Sequence, residues 1–271
     1  MHATAARKET GMGIRLRQIA MVVADIRRVV EDLQHVFGLE VAHIDPGVEV
    51  FGLENRILPV GSQFLEVLTP IREDTAGGRY MARRGGDTGY MVICQTDDHP
   101  GFKARVRQLG IRSAWERDGG TYSLLQLHPK DTGGSFLEVD WAQGWDDPAG
   151  PWPPAGDHWQ EHVRTHIVRA ITAAEIQSPT PEPLAERWAA ILGLPVERGP
   201  SGEPTIRLEN ADVRFVLPPD GRPEGLGGID LEAADAATAL ARAAERGLPV
   251  EGRTVLIGGM RFRLVAGGRQ A

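Results

Sequence analysis

A four-residue segment, Phe-Leu-Glu-Val, occurs twice in this chain of 271 residues, at positions 64–67 and 136–139. Both copies lie in strand-like apolar runs, yet both carry an acidic residue. Because side chains alternate between the two faces of a strand, Phe64 and Glu66 share one face while Leu65 and Val67 share the other. A buried carboxylate must be paired, metal-bound or protonated. The repeat therefore predicts a duplicated module with a functional or ion-paired acid on its strand.

The repeated unit is longer than the tetrapeptide and occurs four times. In each unit a strand-like run precedes a helix-like stretch that ends near a glycine, and short extended pieces with Gly and Pro turns follow. The opening and closing strands are predicted at residues 18–23 and 64–68, 91–94 and 136–140, 166–171 and 213–217, and 228–231 and 262–265. The chain is therefore predicted to be an α+β protein that repeats strand–helix–strand–strand–strand.

A segment rich in Pro, Gly and Trp separates the second unit from the third. We interpret residues 142–161 as a linker, and its tryptophans favour packing against a domain. Residues 1–14 are predicted to be a disordered leader. The remaining ranges, 15–141 and 162–271, are predicted to be two domains of two units each, the second degenerate.

Composition excludes several classes of partner. The net charge is −7 and the arginines are scattered along the chain, so a positive surface for nucleic acid or an anionic membrane is not expected. Cys94 is the only cysteine, which suits a reducing compartment. No segment approaches the roughly 20 apolar residues of a membrane span. We expect a cytoplasmic protein whose partner is a small-molecule ligand.

The strand–helix–three-strand unit resembles the module of the vicinal oxygen chelate superfamily, the glyoxalase and bleomycin-resistance group. The stretch at residues 127–134, Leu-His-Pro-Lys-Asp-Thr-Gly-Gly, is similar to the closing hairpin of methylmalonyl-CoA epimerases and their relatives. The resemblance implies that the four βαβββ modules form two cup-shaped, curled mixed β-sheets. Whether the halves meet within one chain or across a homodimer stays open.

The resemblance also implies a metal site in the cup, usually formed by two histidines and two Glu or Gln residues. Glu66 and Glu138 match the last-strand positions. Gln18 and Met91 stand where histidines are expected, with Tyr90 in place of Met91 if the register shifts by one. A set of Gln18, Glu66 and Glu138 suits Mg, Mn or Ca better than Zn, and a thioether is a poor ligand for a hard ion. The sequence leaves two possibilities open: a cup that binds one divalent metal, and a cup without metal.

Two carboxyl groups without a metal do not both ionise easily, so one pKa rises and the pair offers an acid and a base. Under the resemblance, Glu138 and Glu66 would serve a lyase or isomerase acting on a carbonyl or carboxylate compound. The structural alternative is that one or both glutamates simply pair with an arginine. The competing function is a non-catalytic binding or resistance protein that holds a drug or metabolite in a metal-free cup, so enzyme activity stays open.

Three further residues are candidate substrate contacts: Arg79, Tyr90 and His128. Arg79 lies in the glycine- and arginine-rich stretch 77–87, whose alternative interpretation is a solvated crossover loop. His128 lies at the predicted tight hairpin, where a structural turn is the alternative.

The second half lacks a metal set. His166, Phe215 and Gly228 take the positions expected for ligands, and the last strand offers Arg261 and Arg263. We expect this half to support the first cup or to mediate dimerisation, with an arginine-lined pocket for an anion as the alternative.

Overall fold

The computed structural model describes residues 12–267. Most of the predicted leader, residues 1–11, lies outside the described residues, and the first strand begins at Ile14. The helices are α1 Ile26–Phe37, α2 Ala76–Arg84, α3 His99–Gln108, α4 Pro129–Thr132, α5 Pro181–Leu192 and α6 Ala236–Glu245, with 3₁₀ helices at Pro46–Phe51, Pro153–Ala155 and Trp159–His162. None of these helices has the length and apolar character needed to cross a bilayer.

Fifteen strands complete the described fold. They are β1 Ile14–Val22, β2 Leu53–Val60, β3 Gln63–Pro70, β4 Thr88–Thr96, β5 Ser113–Arg117, β6 Tyr122–Leu127, β7 Phe136–Ala142, β8 Val168–Gln177, β9 Glu197–Arg198, β10 Pro204–Arg207, β11 Asp212–Val216, β12 Gly225–Ala233, β13 Val250–Glu251, β14 Thr254–Ile257 and β15 Met260–Ala266.

The strands form two mixed sheets, which confirms the predicted fold class. The first has the order β2-β3-β1-β4-β7-β6-β5 and the second the order β13-β14-β15-β12-β8-β11-β10-β9. In each sheet the opening strands of two modules, β1 and β4 or β8 and β12, lie antiparallel at the centre. Each opening strand also pairs in parallel with the last strand of its own module. The predicted domain limits themselves stay a prediction.

Local sequence sets the helix ends. Asp25 caps α1 by accepting a hydrogen bond from the backbone N–H of Arg28, and Gly38 ends the helix at a φ of 69°, a conformation that costs glycine little. Leu33 and Val36 lie on its buried face. The helical spacing in the sequence is thus the spacing of residues that enter the core.

The stretch at residues 77–87, for which a solvated crossover loop is the alternative, contains most of α2. Thr75 caps this helix through its side chain, and Gly85 ends it. Gly77 lies against Leu53, where a Cβ would meet a side-chain carbon at 3.2 Å. The Gly-Gly pair suggested a loop because it is weak in helices, whereas close packing favours small residues here.

The core lies between the sheets and their helices and continues from one half of the chain into the other. Leu65, Val67 and their counterparts in β7 point into it. The rings of Phe37 and Phe262 lie 5.4 Å apart across the halves. The opposite face of the first sheet carries Phe64 and forms a separate apolar cluster. The predicted alternation of faces therefore holds.

Candidate functional site

A cavity of about 520 Å³ occupies the second face of the first sheet. Its walls come from both modules of that sheet, from the 3₁₀ helix Pro46–Phe51 and from the segment after β7. Most of its lining is apolar or aromatic. All four positions at which the resemblance placed ligands, Gln18, Glu66, Met91 and Glu138, line this cavity.

Glu66 is buried and accepts two hydrogen bonds from side-chain amides. Nε2 of Gln18 donates to its Oε2 at 2.8 Å, and Nδ2 of Asn55 donates to its Oε1 at 2.6 Å. Strand pairing positions both donors, because β1 and β2 flank β3 on either side. Glu66 therefore pairs with two neutral amides rather than with an arginine, which was the structural alternative.

Each amide is itself held by a second hydrogen bond. Nε1 of Trp152 donates to Oε1 of Gln18 at 2.8 Å, and the backbone N–H of Asp45 donates to Oδ1 of Asn55 at 2.9 Å. Because the amide oxygens are already used as acceptors, the N–H groups must point at Glu66. Glu66 is thus an acceptor on both oxygens.

Burial raises the pKa of Glu66 to about 7, although the hydrogen bonds from Asn55 and Gln18 oppose that rise. Burial disfavours the charged form, and hydrogen bonds to that form favour it. At neutral pH both the ionised and the protonated forms are therefore populated. A carboxyl group of this kind can take up or release a proton near pH 7.

A second acidic group in the cavity consists of Glu138 and Asp140. These residues are two positions apart on β7, so both side chains point to the cavity face. The Tyr122 hydroxyl donates to Oδ2 of Asp140 at 2.5 Å. Glu138 and Asp140 lie close enough for their charges to interact, which favours a proton on one of the two carboxyl groups.

Burial raises the pKa of Glu138 well above its usual range, and the neighbouring charge of Asp140 raises it further. Burial also raises the pKa of Asp140 to about 7, although the hydrogen bond from Tyr122 opposes that rise. We assign the proton to Glu138, because the Tyr122 hydroxyl stabilises the ionised form of Asp140. The pair thus holds one transferable proton at neutral pH.

The donors at the four ligand positions do not fit a divalent cation. Within residues 12–267, no three His, Cys, Asp or Glu side chains are grouped in a way that could hold a metal. The Gln18 oxygen accepts from Trp152, and its nitrogen faces Glu66. Met91 presents a soft sulfur, 4.0 Å from Nε2 of Gln126. Gln18 would have to give up both of its hydrogen bonds to act as a ligand.

The three predicted substrate contacts lie in different places. Tyr90 lines the cavity, with its ring centroid 4.8 Å from that of Phe136, and burial raises its pKa. Arg79 lies on α2, is 56% exposed and pairs with Asp74. His128 caps α4 by accepting from the backbone N–H of Lys130. The structure thus brings Tyr90 to the cavity and leaves Arg79 and His128 outside its lining.

Several site residues were missed by the sequence reasoning. Six line the cavity, namely Asp45, Arg117, Tyr122, Gln126, Asp140 and Trp152, and Asn55 donates to Glu66 from outside the lining. Asp140 had a usable signal, because it lies two residues after Glu138 on the same strand face. Most of the others come from irregular segments or middle strands, which the repeat did not align.

The second sheet carries arginines where the first carries acids. Arg214 and Arg263 occupy the last strands of the two later modules, and both donate to the buried Asp230 at 2.8 Å. Arg214 also donates to Glu175 at 3.1 Å. Phe215, which was assigned to the ligand position, instead points into the core against Trp188. The register of that assignment was wrong by one residue.

Other residues predicted for the second cup are also engaged. Arg261 donates to Glu175 at 2.9 Å and to Asp220 at 2.7 Å. His166 precedes β8, which begins at Val168, and lies beside Gly38 at the end of α1. Because the arginines already pair with carboxylates, the alternative of a free arginine-lined pocket loses its basis.

Comparison with known proteins agrees with this architecture. The sequence profile of the glyoxalase-like domain family matches residues 18–192, more than half of the chain. The protein belongs to this family. The match begins at Gln18 and extends to the end of α5. As a glyoxalase-like protein, it is a member of the vicinal oxygen chelate superfamily. Among curated protein sequences, none matches.

Solved structures share the fold of this glyoxalase-like protein. A hypothetical protein from Staphylococcus aureus is 12% identical, with 93% of this chain and 99% of that chain covered and a TM-score of 0.65. A variant of 4-hydroxymandelate synthase from Streptomyces coelicolor is 16% identical over 87% of this chain and 76% of its own, also at 0.65. A match of lower structural similarity, with a TM-score of 0.43, is a variant of methylmalonyl-CoA epimerase from Streptomyces coelicolor, which is 27% identical over 48% of this chain and 95% of its own.

Proposed function

We propose that this glyoxalase-like protein is an isomerase or lyase that moves a proton at a carbon beside a carbonyl group, without a metal. One observation carries the proposal. The same apolar cavity holds an acceptor-only carboxyl group with a pKa of about 7, Glu66, and a carboxyl pair that keeps a proton, Glu138 with Asp140. Acid and base groups with separated roles are what a reversible proton transfer requires.

The roles follow from the hydrogen bonds. Ionised Glu66 takes the proton from the carbon, and the C–H electron pair becomes the new C=C bond. Glu138 gives its proton to the carbonyl oxygen, so that a neutral enol forms. Asp140 accepts a hydrogen bond from Tyr122. Its negative charge favours the return of the enol proton to Glu138 when the carbonyl re-forms. Return of a proton to the opposite face of the same carbon, while the enol O–H proton passes back to Glu138, gives an epimer. In the lyase reaction a leaving group on the next carbon departs with its bonding electrons, the carbonyl re-forms, and the C=C bond then lies between the two neighbouring carbons.

The fixed amides support the base role of Glu66. Gln18 and Asn55 stabilise the ionised carboxylate and restrict its rotation, so the carboxylate is positioned before a substrate binds. Positioning of this kind lowers the entropic cost of the transfer. The apolar surroundings strengthen each electrostatic interaction by excluding water.

The second candidate is a non-catalytic binding protein, in which the cavity holds a drug or metabolite. The mostly apolar lining favours it, and so does the lack, among residues 12–267, of a side-chain group that could hold a metal. It differs from the enzyme in one measurable respect, since ligand binding would continue without proton exchange between the ligand and water.

Deuterium exchange distinguishes the two. The intact protein is incubated in D₂O with a panel of ketones and aldehydes that carry protons on the α-carbon, and exchange is followed by proton NMR. We expect exchange with at least one member. Glu138→Gln should abolish it while the fold persists, because glutamine has the same size and shape but cannot supply the proton. Glu161→Gln, at an exposed site, is the matched control.

A second variant tests whether a loss of exchange could come from loss of folding. Glu66→Asp keeps an acceptor-only carboxylate but shortens its reach, so it should retain ligand binding and lose exchange. Exchange that continues unchanged in Glu66→Asp and Glu138→Gln would contradict the proposal. Saturable binding of a panel member by the wild type with no exchange would favour the binding protein.

A further inference from the structure

We infer that the ligand of this cavity is a flat, mostly apolar carbonyl compound that is neutral or cationic, and not one with a carboxylate or phosphate beside the reacting carbonyl. The inference rests on the proposed function in placing the carbonyl beside the acidic groups. Its evidence is separate and consists of the charges and the shape of the cavity.

Acidic side chains outnumber basic ones in the lining. Asp45, Glu66, Glu138 and Asp140 all line the cavity, whereas Arg117 is the one Lys or Arg that residues 12–267 contribute to the lining. Arg117 lies on the exposed strand β5, with its guanidinium 5.7 Å from the ring centroid of Tyr122. The cation is therefore at an exposed edge of the cavity, whereas Glu66 and Asp140 are buried and Glu138 is half-buried.

The interior stays negative even after protonation is considered. The Glu138 and Asp140 pair keeps one negative charge when it holds one proton, and Glu66 adds charge as it ionises. An anionic group on the ligand at this depth would meet like charges in a medium of low dielectric constant. A neutral carbonyl instead accepts the Glu138 proton without that repulsion, and a cation is attracted.

The shape of the opening favours a flat apolar body. Phe51, at the end of a 3₁₀ helix, and Trp115, on strand β5, line the cavity and contact each other, with ring centroids 5.3 Å apart and ring planes at 84°. They are 39% and 43% exposed, and Val50 beside them is 63% exposed. Large apolar groups exposed together at the edge of a pocket are typical of a ligand-binding surface.

The two aromatic residues belong to segments that are far apart in sequence, so their contact comes from the fold. A flat ring that displaces this contact would stack on Trp115 and reach the walls formed by Tyr90 and Phe136. The cavity volume of about 520 Å³ suits a compound of two or three fused rings.

Three naphthalene probes of equal shape test the charge preference: acetonaphthone is neutral, naphthylmethylammonium is a cation and naphthoate is an anion. Each is titrated into the full chain by calorimetry at a pH above the pKa of Glu66. We expect the ketone and the ammonium to bind, and naphthoate to bind at least about tenfold more weakly because of repulsion by the buried carboxylates. Naphthoate that binds as tightly as acetonaphthone would overturn the inference, and so would failure of all three probes to bind.

Two variants locate the binding. Trp115→Ala should weaken binding of the neutral and cationic probes. Val250→Ala removes an apolar side chain of comparable exposure, 41% against 43%, away from the cavity and should change neither. Equal effects of the two variants would count against the cavity as the binding site.

These titrations are independent of turnover. Binding of acetonaphthone without deuterium exchange on any carbonyl compound would leave the ligand class intact and contradict the proposed proton transfer. Deuterium exchange that occurred only with anionic compounds would support the proposed proton transfer and contradict the inferred ligand class.

Discussion

The indole Nε1 of Trp152 lies 2.8 Å from Oε1 of Gln18, and this hydrogen bond joins the segment between the two sheets to the acid in the cavity. The bond fixes the amide of Gln18 so that its N–H points at Glu66. Trp152 is therefore a positioning residue that acts on Glu66 through Gln18.

Replacement of Trp152 by Phe should show this role. Trp152→Phe keeps most of the packing but leaves the buried Gln18 oxygen without its donor, a loss that costs about 1–3 kcal/mol. Urea unfolding measures the change in the free energy of unfolding. Trp159→Phe is the matched control, since the equally buried Nε1 of Trp159 has no hydrogen-bond partner in the part of the chain that the structure describes. Similar losses in both variants would contradict the role of the hydrogen bond.

Glu66 should make the protein less stable as the pH rises. Its pKa is raised from 4.5 to about 7 in the folded state, so between these values the folded chain holds a proton that the unfolded chain has lost. That contribution to stability is complete below pH 4.5 and is lost as the pH rises through about 7.

Glu66→Gln removes this titration. The free energy of unfolding of the variant, relative to wild type, should increase by roughly 2–3 kcal/mol from acidic to alkaline pH. The constant penalty from placing an amide against two donors does not affect this difference. Urea unfolding at pH 5 and pH 8 provides the measurement, and an offset that is the same at both pH values would rule out Glu66 as the titrating group.

The rate of proton exchange should follow a bell-shaped pH dependence. Activity should rise as Glu66 ionises near pH 7 and should fall when the proton of Glu138 is lost at higher pH. Asn55→Leu should move the rising limb to higher pH, by about one unit, because a hydrogen bond to the ionised carboxylate is lost. Gln126→Leu changes a residue of the cavity lining that does not contact Glu66, so the rising limb of the pH profile of this variant should stay in place. A limb that is unmoved in Asn55→Leu would contradict the assignment of Glu66 as the base.

Metal should be dispensable for this site. We expect elemental analysis of the untagged protein to find no stoichiometric divalent metal, and EDTA or added Mn to leave the thermal unfolding temperature unchanged, because the Gln18 oxygen is committed to Trp152. The Glu66→Gln, Glu138→Gln double variant is the comparison. Stoichiometric metal, or stabilisation by Mn, that disappears in the double variant would establish a metal site with unusual ligands.

The ion pairs of the second sheet should serve stability. Asp230→Asn leaves two arginines without their shared carboxylate, and loss of one partner of a buried pair costs about 3–5 kcal/mol. Glu182→Gln breaks the exposed pair with Arg198 and should cost little. Both variants should retain proton exchange if they fold. Loss of exchange in folded Asp230→Asn would implicate the second sheet in the chemistry.

The sequence by itself determined the modules and the acids of the first cup. Repetition placed equivalent strands at equivalent positions, and strand alternation put Glu66 and Glu138 on the face opposite Leu65 and Leu137. These inferences depend on local periodicity, which a single sequence displays directly. Periodicity failed at α2, where Gly77 serves packing, and at Phe215, where one residue of register exchanges the two faces of a strand.

Only the tertiary structure decided what surrounds the acids. Asn55 comes from a neighbouring strand, Tyr122 from the second module and Trp152 from the segment between the sheets, and no spacing in the sequence relates them to Glu66 or Asp140. Their hydrogen bonds and the low dielectric constant of the cavity set the pKa values. Burial and hydrogen bonding are sums over neighbours that are distant in sequence, and the folded chain is what brings those neighbours together.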